Sequence, residues 1–288
     1  MHAAIPMEPH IYPFTTVWKT IHGQKTAYLS TSPEAGLKRI LSRDHERVYE
    51  ISHAFRNLEE SGYTHTPEFL MLEWYRCHAG YTDIMDEVQT YIQSLCGPKI
   101  DYQGTSITMD SKWPRRSVSD LFKMHLGVKL DQCLEEASMQ KLAASRGYVT
   151  DHATWEQLFF QLFLNEIEPH IGNDPVFITE YPSRISPLAQ PSVAHPHLAE
   201  RFELYIGGME IGNGNTENTD EDAVRALSME EYTYRKTRDI DIAPIDEPFL
   251  SSLTRLDGLS PAGVGIGLDR LTLILGDFSD TRIFTSFG

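Results

Sequence analysis

The chain has 288 residues, 41% hydrophobic and 23% charged, which excludes disorder, collagen-like repeats and low complexity and leaves enough apolar side chains for one sizeable core. Its 41 acidic and 25 basic residues give a formal charge of −16, which excludes a broad cationic face for a phosphate backbone. Cys77, Cys96 and Cys133 match neither a disulfide framework nor a close-paired zinc site, no apolar run nears the roughly 20 residues of a membrane span, and no signal-peptide core opens the chain, so a reducing cytoplasm is expected.

In chain order, T-S-P-E-A-G-L-K-R-I-L predicts a helix with Ser32 as N-cap, Pro33 in its first position and Glu34 in its first turn, where the dipole favours a carboxylate. V-Y-E-I-S-H-A-F-R-N reads as a strand, L-E-E-S-G-Y-T-H-T as a polar loop, and P-E-F-L-M-L-E-W-Y as a second strand. Helical periodicity fills 82–96 and stretches near 117–126, 131–146 and 152–168. After Val176 short strands return, and R-F-E-L-Y-I-G-G-M-E-I-G-N-G reads as a hairpin turning at Gly207-Gly208. A helix with an acidic start covers about 220–237, and G-V-G-I-G-L-D-R-L-T-L-I-L closes the series as a glycine-punctuated strand entering an apolar helix. No repeat or flexible linker interrupts this order, which predicts an α+β fold with a mostly antiparallel sheet.

Three clusters of residues carry possible chemistry. On the second strand, period two puts Phe69, Met71, Glu73 and Tyr75 on one face, where a ring, a carboxylate and a phenol suit a planar ligand and an ammonium group. The preceding strand aligns Glu50, Ser52, Ala54 and Arg56, with Arg56 placed to reach an anion. A solvated sheet face with a surface salt bridge explains the same pattern and is favoured if these residues stand alone. In the hairpin, an unbroken ladder opposes Tyr205 to Glu210 and Glu203 to Gly212, so Glu203 and Glu210 become diagonal neighbours on one face. Two carboxylates there suit Mg²⁺ completed by phosphates, with Gly212 and Gly214 leaving the same face bare; an acidic exposed strand is the equal alternative. Asn213 and Glu217 point away from this face unless the strand bends at its glycines. Finally, Gly263, Gly265 and Gly267 clear one face of the last strand before Arg270 enters the helix, which reads as a ligand floor or as tight helix packing.

F-R-N…H-T-P-E-F, R-F-E-L…M-E-I-G-N-G and G-I-G-L-D-R together resemble, in order and spacing, motifs 2 and 3 and the intervening signature of class II aminoacyl-tRNA synthetases. T-S-P-E…L-K-R-I-L, H-T-P-E-F-L-M-L-E-W-Y-R and L-A-E-R-F-E-L-Y are similar to the lysyl-tRNA synthetases and closest to their shortened paralogues, the elongation factor P lysine ligases. The resemblance runs from about Pro9 to Leu275. It implies the class II antiparallel sheet flanked by helices, a single catalytic domain over 1–288, and activation of lysine or a lysine-like amino acid by ATP before transfer to an acceptor.

The resemblance also implies roles for residues. Arg56 holds the α-phosphate and the substrate carboxylate, Phe69 stacks on adenine, His65 contacts the phosphates and Arg270 the γ-phosphate, while Glu203 and Glu210 bind Mg²⁺ and ATP. Arg56, Arg270 and Glu210 are thereby the catalytic set. Ser32, Glu34, Arg56, Glu73, Tyr75, Asn213, Glu217 and Gly265 form the amino-acid site, with Glu34 at the α-amino group and Glu73, Tyr75 and Glu217 around the side-chain ammonium. The motif 2 loop is one residue longer than usual and lacks its arginine, so the ATP-contacting glutamate is Glu59 or Glu60, with Glu59 preferred. Asn215 replaces a phenylalanine. Gly265 stands where the elongation factor P ligases have alanine and the lysyl-tRNA synthetases glycine, so the choice between α- and β-lysine stays open. The motif 1 region and the anticodon-binding OB domain have no counterpart in this chain, which with the acidic charge argues against tRNA and for a protein acceptor, elongation factor P. A homodimer stays open. A catalytically silent synthetase-like module, and a ligase for a small-molecule or carrier acceptor, are the alternatives.

Overall fold

A computed structural model describes residues 1–5, 11–58, 62–238, 240 and 242–284. The elements in chain order are β1 (Thr15–Thr20), β2 (Gly23–Tyr28), α1 (Glu34–Leu41), β3 (Arg47–Phe55), β4 (Glu68–Arg76), α2 (Tyr81–Leu95), β5 (Lys99–Tyr102), β6 (Thr105–Thr108) and β7 (Arg115–Ser117). They continue with α3 (Val118–Leu121), α4 (Glu136–Ser145), α5 (Trp155–Leu162), β8 (Val176–Thr179), β9 (Arg201–Ile206), β10 (Met209–Thr216), α6 (Glu221–Thr237), α7 (Glu247–Leu256), β11 (Ala262–Gly267) and α8 (Leu268–Leu275). Seven strands form one sheet in the order β3-β4-β11-β10-β9-β8-β7, antiparallel throughout except where β7 runs parallel to β8. The α+β expectation therefore holds. The small hairpins β1–β2 and β5–β6 are additions that the sequence reading did not contain.

Period-two alternation explains how the sheet divides the molecule. Val264 and Ile266 of β11, with Phe202, Leu204 and Ile206 of β9, face a core completed by Ile84 and Val88 of α2 and Leu271 and Ile274 of α8. At the far edge Val176, Ile178 and Tyr205 face the opposite way into a second core with Leu158, Phe159 and Leu162 of α5. The helices α1 and α7 pack near the β4 end through Ala35, Phe249 and Leu253. The space between these helices and the second core is left to the polar residues of β4 and β10 and the glycines of β11. Helix α1 begins one residue later than expected. Pro33 is already helical (φ −76°, ψ −4°), and the Ser32 hydroxyl still accepts from the Glu34 N–H at 3.4 Å. The cysteines are free thiols, and among the described residues no helix is long and apolar enough to cross a membrane.

One expectation fails in a way that shapes the site. The hairpin turns at Gly207 and Gly208, both at positive φ (63° and 75°), as the predicted two-residue turn requires. Glu210 opposes Tyr205 as expected, but the register then shifts, so that Gly212 opposes Leu204 and Asn213 opposes Glu203. A β-bulge between Glu210 and Gly212 inserts one extra residue, and Ile211 fills the α2–α8 core. Beyond the bulge every side chain of β10 changes face. Gly214 therefore lies against the core, where a Cβ would fall 2.7 Å from the Phe202 ring, and does not keep the ligand face bare. Gly212 alternates with it on that side, and a Cβ there would meet the Gly265 carbonyl oxygen at 2.3 Å. Asn213 takes the Glu203 face instead.

Candidate active site

The register aligns Glu203, Asn213, Gly265, Glu73 and Glu50 in one row across β9, β10, β11, β4 and β3. The next row runs Arg201, Asn215, Gly263, Tyr75 and Val48. Three strand spacings of about 4.8 Å put Glu203 roughly 14 Å from Glu73, which separates two acidic centres by the length of a small substrate. A cavity of about 560 Å³ opens on this face, and Ser32, Glu34, Arg56, Glu73, Tyr75, Asn213, Glu217 and Gly265 all line it. Every residue assigned from sequence to the amino-acid site thus borders one hollow.

The acidic end is built by α1, β4 and the end of β10. Glu73 and Glu217 are 3% and 2% exposed. Tyr75 donates its phenol proton to Glu73. This contact needs glycine at 263, since a Cβ there would fall 2.2 Å from the Tyr75 ring, whereas a Cβ on Gly265 would meet Met71 and Glu73 at ordinary contact distances of 3.5 and 3.6 Å. Burial, with Glu34 close by, pushes the Glu73 carboxyl well above the usual carboxylate range, and burial also raises the Tyr75 phenol. Burial lifts Glu217 to about 7, against the pull of Lys38. Lys38, one turn after Glu34 on α1, is 1% exposed and forms ion pairs with both Glu34 and Glu217. Its ammonium also lies 5.4 Å from the Tyr75 ring centre and 5.7 Å from that of Phe249. Burial opposes that charge, but Glu217 and Glu34 outweigh it and raise the Lys38 group above the usual lysine range.

A second cluster gathers the residues assigned to the nucleotide. Arg270, at the start of α8, donates from Nε to the Thr64 carbonyl (3.1 Å), from Nη1 to the Glu210 carbonyl (2.8 Å) and from Nη2 to His65 Nε2. Asp269 beside it accepts from the Leu70 N–H at 3.0 Å, which ties α8 to β4. His65 is an acceptor here and therefore neutral; burial first and the Arg270 cation second lower it to about 4. Arg56 donates from Nε to the Thr31 carbonyl at 3.2 Å, and its guanidinium lies 5.2 Å from the Phe69 ring centre. The plane expected to face adenine is thus covered on one side by a cation. Glu59 lies outside the described residues.

Glu203 is gripped by three donors: Tyr181 Oη at 2.5 Å, Arg201 Nη2 at 2.7 Å and Tyr205 Oη at 3.1 Å. Burial and then the Glu210 charge raise it to about 7, with Arg201 pulling the other way. That coupling agrees with the two carboxylates sharing a face. Glu168 is raised by burial and by the same Glu210 charge. Among the described residues no group of three His, Cys, Asp or Glu side chains forms a cage for a metal. Two hard carboxylates on one face nonetheless fit Mg²⁺, which takes one or two such ligands and fills its shell with water and phosphate oxygens. Glu203 has spent most of its roughly four acceptor positions on protein donors, so Glu210 is the freer ligand.

Residues 7–288 match the family described as tRNA synthetases class II (D, K and N). The chain belongs to this class II synthetase family. It is 36% identical over 264 residues to the lysine–tRNA ligase of Pelotomaculum thermopropionicum, covering 88% of this chain and 51% of that protein. It is 33% identical over 277 residues to the lysine–tRNA ligase of Chloroflexus aurantiacus (94% and 55%) and 34% identical over 263 residues to that of Coxiella burnetii (88% and 52%). The chain spans about half the length of the curated relatives it matches. The class II synthetase sheet and the class II family expected from the sequence are thereby found, with likeness to lysine–tRNA ligases.

Sequence reasoning missed Lys38, Arg201, Tyr181 and Tyr205 as parts of this class II site. Arg201 and Tyr205 were legible, because R-F-E-L-Y places both on the Glu203 face by period two. Lys38 follows Glu34 at i+4, a spacing that ordinarily marks an exposed helix pair. Tyr181 lies in a loop, and only the tertiary fold brings it to Glu203.

Proposed function

We propose that the protein is an ATP-dependent ligase that activates lysine or a lysine-like amino acid as its adenylate. The observation that carries this reading is one cavity that Arg56 lines together with Glu34, Glu73 and Glu217. A guest with a carboxylate and one ammonium group at one end and a second ammonium group at the other matches that lining. Residues 1–288 act as one catalytic unit in this reading, since the sheet supplies the acidic row, Arg56 directly follows β3 and Arg270 begins α8, which packs on the same sheet.

Arg56 sits where a substrate carboxylate and the α-phosphate meet, and it neutralises the charge that both bring. A carboxylate oxygen attacks the α-phosphorus, the bond to the bridging oxygen breaks, and pyrophosphate leaves with that electron pair. No proton moves in this step. Positioning and charge neutralisation are what the chain contributes. Arg270, fixed by the Thr64 and Glu210 carbonyls, meets the outer phosphates by exchanging its His65 contact for theirs. Neutral His65 can turn its N–H to the same oxygens once Arg270 takes the phosphate. Glu210 and Glu203 would hold Mg²⁺, which when bound neutralises the phosphates and their leaving pyrophosphate.

The acceptor in this reading is a protein amine of the elongation factor P type, which attacks the acyl carbonyl, expels AMP and sheds one proton. The formal charge of −16 favours a basic protein surface over a nucleic-acid backbone. A tRNA acceptor is the second reading, favoured by the relatives' being lysine–tRNA ligases. Pyrophosphate exchange with lysine, β-lysine and ornithine tests activation, and labelled lysine offered with elongation factor P or with tRNA separates the acceptors. Absence of exchange with all three amino acids overturns the proposal.

A further inference from the structure

Lys38 is a buried charged group that the proposed chemistry leaves without a task. Its ammonium touches Glu34 and Glu217, yet Lys38 does not border the cavity that both carboxylates line. It therefore stands behind the wall, with the carboxylates between it and the guest.

The elements packed around Lys38 bring a countable set of charges. From α1 comes Glu34, from β4 Glu73 and the Tyr75 phenol, and from the end of β10 Glu217. From α7 comes the uncharged Phe249 ring, while Asp246 at the start of that helix lies 3.9 Å from Arg39. Three carboxylates against one ammonium leave two positive charges missing. A diamino acid supplies two, its carboxylate being answered separately by Arg56. A monoamino acid supplies one and leaves a buried carboxyl that must stay protonated.

We propose that Lys38 is a specificity-determining positioning residue, which anchors Glu34 and Glu217 from behind and sets the cavity charge to select a guest with two ammonium groups. The inference rests on the amino-acid reading of the cavity. Without the Lys38 cation, buried Glu217 and half-buried Glu34 face each other uncompensated and hold protons more readily at neutral pH. They then lose their grip on an ammonium group, and raising the pH restores it.

The test is calorimetric titration of the unaltered protein, Lys38→Met and Lys38→Arg with lysine and with norleucine, its analogue lacking the side-chain amine. At pH 7 Lys38→Met is expected to bind lysine about tenfold more weakly or worse, one pKa unit being a factor of ten, and to recover most of this at pH 9. Lys38→Arg stays within about threefold of the unaltered protein, and norleucine, which keeps the α-ammonium group but not the side-chain one, loses less in Lys38→Met than lysine does. An equal loss at both pH values for both ligands, or no loss, overturns the proposal. The unaltered protein supplies a measurement that does not depend on a variant folding: lysine binding releases protons, read from titrations in two buffers of different ionisation enthalpy, and binding without release overturns it too. If the unaltered protein fails to bind lysine, the amino-acid reading itself falls. Carbon-13 titration of the glutamate carboxyls then decides the anchoring role alone, which stands if Lys38→Met moves two carboxyls upward and Lys38→Arg does not, and falls otherwise.

Discussion

Glu203 faces Asn213 across the β9–β10 ladder, one residue beyond the partner that an unbroken hairpin would give it. That displacement puts an amide between the two acidic centres of the sheet and turns Gly214 into the core. The division of labour between the centres is open to experiment.

Glu73→Gln is expected to raise the lysine requirement in pyrophosphate exchange by about tenfold or more, because a buried ammonium loses its counter-charge, while the KM for ATP stays within about twofold. Separate titrations of the two substrates check this. Equal effects on both would contradict the assignment.

Glu210→Gln should act on the other substrate, raising the Mg²⁺ and ATP requirements about tenfold with little change for lysine. Glu203→Gln should give a similar but smaller change in Mg²⁺ dependence, since Tyr181, Tyr205 and Arg201 already occupy most of that carboxylate. Steady-state kinetics across a Mg²⁺ series measures both.

Stability should depend on pH through the raised carboxyls. Glu203 and Glu217 each stand at about 7 in the folded chain against an ordinary value of 4.5. Between those values the folded state holds protons that the unfolded state has released, so this contribution is present at low pH and is lost as pH rises through 7. His65 works in the opposite sense, since its fall from 6.5 to about 4 favours the folded state as pH rises between those values. Above pH 6.5 the glutamates act alone. Tm should fall from pH 6.5 to 8, and fall less in Glu203→Gln, as thermal unfolding by circular dichroism would record.

The two glycines of β11 on the cavity face should respond differently. Gly263→Ala drives a Cβ into the Tyr75 ring and should cost about 1–3 kcal/mol in stability, as overpacking does, along with the Tyr75–Glu73 contact. Gly265→Ala meets only ordinary contacts and should leave Tm nearly unchanged while narrowing the cavity beside Glu73. Its effect belongs in the ratio of exchange rates with α- and β-lysine.

Much of this protein was already written in local pattern. Alternation along β4 and β11 fixed which face carries Glu73, Tyr75 and the glycines, Gly207 and Gly208 fixed the turn, and the ordered motifs fixed the family. These are short-range facts, set by the two-residue period of a strand and by the few backbone shapes that glycine alone accepts cheaply. The bulge after Glu210, the hydroxyls that clasp Glu203 and the burial of Lys38 were decided by the tertiary structure. Each depends on groups distant in sequence competing for one volume: Ile211 finding its place in the α2–α8 core, Tyr181 reaching from a loop, and Phe249 of α7 closing over an ammonium that would otherwise sit in water.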